Sequence, residues 1–427
     1  MTQELLRQVR LLDPISQVDR VGDLLIGEGQ ILEVSAHIDP SPPNINSRDC
    51  TGLVLAPGLV DLYSHADEPG FETRETLASL AAAAVGGGFT RLMLLPDTQP
   101  VLDHGNGIAW LQAHLPQGLP LQVKAWGAIS QNLEGQQLVE FSDLVQAGVV
   151  GFSDGRPLQN LLLLRRFLEY LGPQAPPIAL WPCQVSLAEQ GVIREGLEAL
   201  RLGLPEISTL AETTALATLI EMVALVKTPI HIMRVSTARS VALLKAAKAE
   251  GLPITASTTW MHLLGNSQSL GNYDVNWRLD PPVGTVADQE ALISGIETGV
   301  IDAISIDHHA YTYEEKTVAF SEAPPGAIGL ELALPLLWDS FVNSGRWSAL
   351  TLWRALSTQP SQCLHQVPAV LQAGHPAELV LFDPQQTWQI DPQSLHSLSY
   401  NTPWQGQTLR GRVLKTWCPI PSMDPLK

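Results

Sequence analysis

The sequence predicts an α/β protein, a (β/α)8 TIM-like barrel with a small β-sandwich built from both chain ends. Three observations carry this. The chain has 427 residues, room for one barrel of about 250 residues or more and a satellite. Its middle repeats apolar strand-like runs, each following an amphipathic segment of helical period. Both of its ends are rich in short strands and turns, and neither is long enough to stand comfortably alone.

Residues 1–56 open with short apolar or alternating runs, among them "DLLIGEGQILEVS", where Gly-Glu-Gly between two strand-like pieces reads as a hairpin. From Pro57 to about residue 369 the barrel units follow. Their strands are expected in "RLMLLPD", "LQVKAWGAI", "AGVVGFSD", "PIALWPC", "PIHIMRVS", "LPITAST" and "IDAISIDHH". "LASLAAAAVGGGFTRLMLLP" is broken by its Gly triplet, Thr90 and Arg91, and so predicts a helix, a turn and a buried strand, not a membrane span. Residues 370–427 return to strands in "AELVLFDP" and "GRVLKTW", completing the sandwich.

Composition excludes several classes. Hydrophobic residues make up 45% and charged residues 16%, which argues against disorder. A formal net charge of -18 disfavours nucleic acid and anionic membrane as partners. Cys50, Cys183, Cys363 and Cys418 have no C-x-x-C spacing, so neither a disulfide framework nor a thiolate zinc site is suggested. The N-terminus shows no apolar core of a signal peptide, and a cytoplasmic location is expected.

The chemistry is expected at the C-terminal ends of the barrel strands. A strand ending D-x-H-x-H would put two imidazoles on one side, where both could bind one metal. Here the series is Asp61, Tyr63, His65, and a neutral phenol is a poor zinc ligand. His231 and His262 lie between apolar neighbours and read as core residues. Of His308 and His309 at most one can face the mouth, since neighbours in a strand point opposite ways.

The motifs "TGLVLAPGLVD", "GGGFTRLMLLPDTQPVLD", "GFSDGRPLQN", "AEQGVIREG", "VSTARSVALLKAAKAEGLPITA", "NYDVNWRLDPPVGT", "IDAISIDHHAYTYEEK", "GAIGLELALPLL" and "NTPWQGQTLRGRV" span nearly the whole chain. Together they resemble the dihydroorotases of the amidohydrolase superfamily. The resemblance implies a barrel with a flanking β-sandwich, one or two divalent metals, usually zinc, and reversible closure of carbamoyl aspartate to dihydroorotate. Carried over by position, it places the first metal histidine on Tyr63, the carboxylated lysine on Ser153, and two further histidines on Trp181 and Arg234. His65, Asp154 and Asp307 survive, Asp307 at the place of the aspartate that binds metal and moves the proton. The substrate-clamping arginine falls on Asp67, an asparagine on Asp97 and a histidine on Tyr311. Two carboxylates in place of a cation and a neutral donor are expected to repel an anion such as dihydroorotate.

The reading that follows is a degenerate, inactive dihydroorotase-like chain of pyrimidine biosynthesis with no cofactor. The resemblance further suggests homo-oligomers and, as a partner, aspartate carbamoyltransferase. In the rival reading the chain is a working dihydroorotase or other cyclic amidohydrolase, with zinc in an unconventional site around His65, Asp154 and Asp307. Trp181 is expected to fill the mouth, and Arg234 to pair with Asp307 or Asp61.

Overall fold

A computed structural model describes residues 3–39 and 45–419. The remaining residues of both predicted sandwich segments, 1–2, 40–44 and 420–427, lie outside the described residues. Sixteen strands are defined there: β1 (Gln3–Asp13), β2 (Val18–Gly27), β3 (Gln30–Ser35), β4 (Ile45–Asp49), β5 (Val54–Pro57), β6 (Leu59–Ser64), β7 (Phe89–Leu94), β8 (Gln122–Ala125), β9 (Ala179–Leu180), β10 (Ile193–Arg194), β11 (Glu206–Ile207), β12 (Ile230–Ile232), β13 (Ile254–Thr259), β14 (Ala303–Ser305), β15 (Leu379–Gln389) and β16 (Thr408–Trp417).

The two chain ends form one sheet, ordered β16-β15-β5-β1-β2-β3, with β4 also on β1. The branch falls at a bulge in β1 between Leu6 and Val9, where Gln8 takes a left-handed φ of 55° and its N–H is caught by Asp23 Oδ1 at 2.9 Å. Before the bulge β1 pairs with β4, after it with β5. The sheet packs on its own apolar cluster, which includes Leu6, Leu11, Leu24, Ile31, Leu55 and Leu379. The predicted hairpin is present as β2 and β3, turned by Glu28 and Gly29, both at positive φ.

The barrel strands run parallel in two groups, β6-β7-β8 and β9-β12-β13-β14. The ladder is interrupted at two seams. At the first, "AGVVGFSD" yields only Phe152, which bridges Gly127 on one side and Ile178 on the other. Gly151 permits this approach, since a Cβ there would sit 2.1 Å from the Pro177 carbonyl oxygen. At the second, single backbone bonds cross from Asp307 N to Tyr63 O (3.1 Å) and from His65 N to His308 O (2.9 Å). With Phe152 counted as a stave, eight staves follow one another in chain order, as the sequence predicted.

The Gly triplet acts as expected. The helix Leu77–Gly86 is capped by Thr76 and Ser79 and ends at Gly87, and Gly88 at φ 88° turns the chain into β7. Among the described residues no helix is long and apolar enough to cross a membrane.

Candidate functional site

The parallel strands point their C-terminal ends at one mouth, and the residues that follow β6, β7, β9, β12, β13 and β14 line a cavity of about 270 Å³. His65, Asp97, Trp181, Arg234, Thr259, Asp280, Asp307 and His309 are all on its wall. Tyr63, Asp67, Ser153, Asp154 and Tyr311 are not.

Arg234 is the centre of the site and only 5% exposed. Its Nε donates to Asp307 Oδ2 at 2.8 Å and its NH2 to Asp307 Oδ1 at 2.6 Å, a bidentate pair. NH1 donates to Gly155 O at 3.2 Å. The guanidinium lies over the Trp181 ring at 4.7 Å. Of the two carboxylates open to it in the sequence, Arg234 takes Asp307. Asp61 is fully buried, accepts from Ser64 Oγ and Ile306 N, and is pushed up to about 7 by burial. Burial also works to raise Asp307, but Arg234 and His65 hold it well below the usual carboxylate range. A carboxylate so depressed and so paired is a poor proton acceptor near neutral pH.

His65 bonds Asp97 Oδ2 through Nδ1 at 2.7 Å, and its Nε2 lies 3.2 Å from Arg234 NH2 and 3.5 Å from Asp307 Oδ1. Burial opposes the imidazolium, but Asp97 and Asp307 outweigh it and raise His65 to about 9. The charged ring has no lone pair to offer, and in the neutral ring the Nε2 lone pair faces an Arg234 N–H. Neither form leaves Nε2 free for a metal. His309 stacks on His65 with ring centroids 3.8 Å apart, and burial and the charge on His65 lower its pKa well below the ordinary value. His308 turns the other way, into a buried position 3.5 Å from Glu75.

The remaining positions serve the scaffold. The Tyr63 hydroxyl is 2.9 Å from Ser257 Oγ and accepts from Arg234 N at 3.0 Å. Burial, then Asp307, pushes it up to about 12, so it stays a neutral phenol. Asp154 spends its carboxylate on Ile129 N, Ser130 N and Ser130 Oγ, and none of these bonds reaches His65 or Asp307. Ser153 Oγ accepts from Gly155 N. Tyr311 packs under Arg74 and Lys316. His231 is buried and hydrogen-bonded to Thr255 and Ser257, whereas His262, buried and bonded to Thr259 and Pro281 O, lies on the cavity wall.

Two expectations need correction. The mouth is not filled, because Trp181 packs its ring face under the Arg234 guanidinium at 4.7 Å and leaves the cavity open beside it. Nor do the two introduced carboxylates repel anions as free charges. Asp67 is 4% exposed, has Arg74 NH1 at 3.5 Å and is pushed up to about 7 by burial, while Asp97 is matched by His65. Asp280 and Thr259 are cavity residues that the sequence reading missed. The strand-end position of Thr259 was a usable signal, and Asp280 stands within the motif "NYDVNWRLDPPVGT".

A divalent metal does not fit this donor set. Among the described residues no group of three or more His, Cys, Asp or Glu side chains is arranged to hold one. Asp307 and His65 are both engaged by a permanent cation.

A relative from Synechocystis, a probable dihydroorotase-like protein, is 42% identical over 95% of this chain and 98% of its own length. The chain belongs to the dihydroorotase-like family. The model of the Dihydro-orotase-like family matches residues 52–160. A dihydroorotase of Syntrophus aciditrophicus is 34% identical over 96% of this chain and 97% of its own. Among solved structures, the L-hydantoinase of Arthrobacter aurescens superposes with a TM-score of 0.84 at 20% identity, covering 97% of this chain and 95% of that one. That likeness shows the fold alone.

Proposed function

We propose that the chain is a non-catalytic member of the family, retained in pyrimidine biosynthesis as a subunit or scaffold for aspartate carbamoyltransferase. One observation carries the loss of catalysis. The guanidinium of Arg234 holds both oxygens of Asp307 and sits against His65, the two surviving ligand positions that reach the mouth. A donor set engaged in this way does not hold a metal ion that would polarise a cyclic amide and lower the pKa of an attacking water. The partner rests on the family resemblance. Its test is co-purification with aspartate carbamoyltransferase and growth without uracil, in cells carrying or lacking the chain.

The second reading, a cyclic amide hydrolase with an unconventional site, draws on the open cavity of about 270 Å³ and its Asp280, His309 and Thr259. Dihydroorotate hydrolysis and carbamoyl aspartate cyclisation, assayed with the purified chain with and without added zinc, separate the two. Turnover above a buffer control would end the non-catalytic reading.

A further inference from the structure

We propose that the barrel mouth is a cation site whose occupant is the chain's own Arg234, and that a variant lacking this side chain binds a free guanidinium ion there in preference to zinc. The inference rests on the reading above, that the mouth holds no metal.

The acceptors around Arg234 are arranged for a flat, forked cation. Asp307 offers both oxygens side by side at 2.8 and 2.6 Å, and Gly155 O takes a third N–H at 3.2 Å. The Trp181 face at 4.7 Å and the Tyr63 ring at 5.8 Å add aromatic walls that favour a planar, weakly hydrated ion. The backbone of this frame is held independently of the Arg234 side chain. Asp307 is fixed through its N–H on Tyr63 O, and the Arg234 backbone N–H is held by the Tyr63 hydroxyl. Truncating Arg234 would therefore leave a walled recess in which Asp307 has lost its bidentate partner and keeps only His65 Nε2, 3.5 Å from its Oδ1. It would be reached through the cavity that Arg234 now lines.

Zinc suits that recess poorly. It needs at least three ligands in tetrahedral array. Among the described residues the groups released would be His65 Nε2 and Asp307, because His65 Nδ1 stays on Asp97 and the Tyr63 hydroxyl on Ser257. The indole of Trp181 contributes no metal-binding lone pair.

The test uses Arg234→Gly in the full chain. Arg234 has a φ of 54°, a left-handed value that glycine adopts without strain, so the substitution removes the side chain and leaves the backbone at ease. Thermal unfolding of the variant and of the wild type is followed in low-millimolar guanidinium chloride, far below denaturing levels, with sodium chloride, urea and zinc chloride in parallel arms. The expected result is a rise of a few degrees in the variant with guanidinium alone, and none in the wild type. Should the variant not fold unaided, its refolding yield from urea is read in the same arms, and recovery with guanidinium counts as the same result. No response to guanidinium, an equal response in the wild type, or a larger one to zinc overturns the proposal. Stoichiometric zinc with turnover in the wild type would instead sink the non-catalytic reading, so the two failures can be told apart.

Discussion

Tyr63 and Ser257, 194 residues apart, meet inside the barrel with their hydroxyl oxygens 2.9 Å apart, and the same phenol oxygen accepts the Arg234 backbone N–H. The residue that the resemblance sets at a metal histidine's position is a cross-barrel tie. Tyr63→Phe is expected to cost about 1–3 kcal/mol in urea unfolding, because it strands a buried N–H. A variant as stable as the parent would remove the tie from the account.

Restoring one ligand should not restore chemistry. Tyr63→His leaves Trp181 and Arg234 in place, and the expected outcome is no zinc-dependent hydrolysis of dihydroorotate. Detectable turnover in that single variant would show that the Arg234 cation is displaceable.

Asp307 is expected to matter for stability. Asp307→Ala leaves a guanidinium that is only 5% exposed without its carboxylate, at an expected cost of about 3–5 kcal/mol. The double variant Arg234→Met with Asp307→Leu should recover most of that loss, since an apolar pair replaces an ionic one. Equal destabilisation in the two variants would contradict the pairing argument.

Folding should be indifferent to chelators. EDTA is expected to leave the melting temperature unchanged, and elemental analysis of protein purified without chelator should give well under one zinc per chain. A drop of several degrees on chelation would point to a metal that the donor set does not explain.

The pH dependence has a clear marker in Lys316, only 7% exposed, whose Nζ donates to Pro324 O at 2.7 Å and Val275 O at 3.3 Å. Burial, then Arg278, lowers it from 10.5 to about 7. The folded state therefore sheds this proton first. Between those two values the unfolded chain binds more protons, and stability rises with pH. Relative to Lys316→Met, the wild type should gain stability from pH 7 upward and level off near 10.5. Parallel curves for the two proteins would show that Lys316 titrates normally.

How much of this was legible beforehand differs between fold and site. Strands such as β7 and β13 announce themselves as apolar runs after helical segments, because burial is local in sequence. The Gly triplet marks its own turn. The site was legible as a set of positions, down to Arg234 seeking a carboxylate, but not as a set of contacts. That His65 would be claimed by Asp97 depends on which strand ends face each other, and that Asp67 would be spent on Arg74 depends on how the loop between them folds back. Asp154 shows the limit most clearly, since its carboxylate serves a turn at residues 129–130 and not the mouth.

The single-residue stave at Phe152 has a consequence for how the barrel breathes. Two parallel groups of strands are hinged there by the bonds of one residue and its neighbours, whereas elsewhere within each group several backbone bonds must break together. Amide exchange at residues 150–153 should therefore be faster than within either strand group, with an opening free energy below that of global unfolding. Gly155, whose carbonyl holds Arg234, lies two residues beyond this segment. Fluctuation of the hinge would then reach the mouth directly, a mechanical link between the flank of the barrel and its centre.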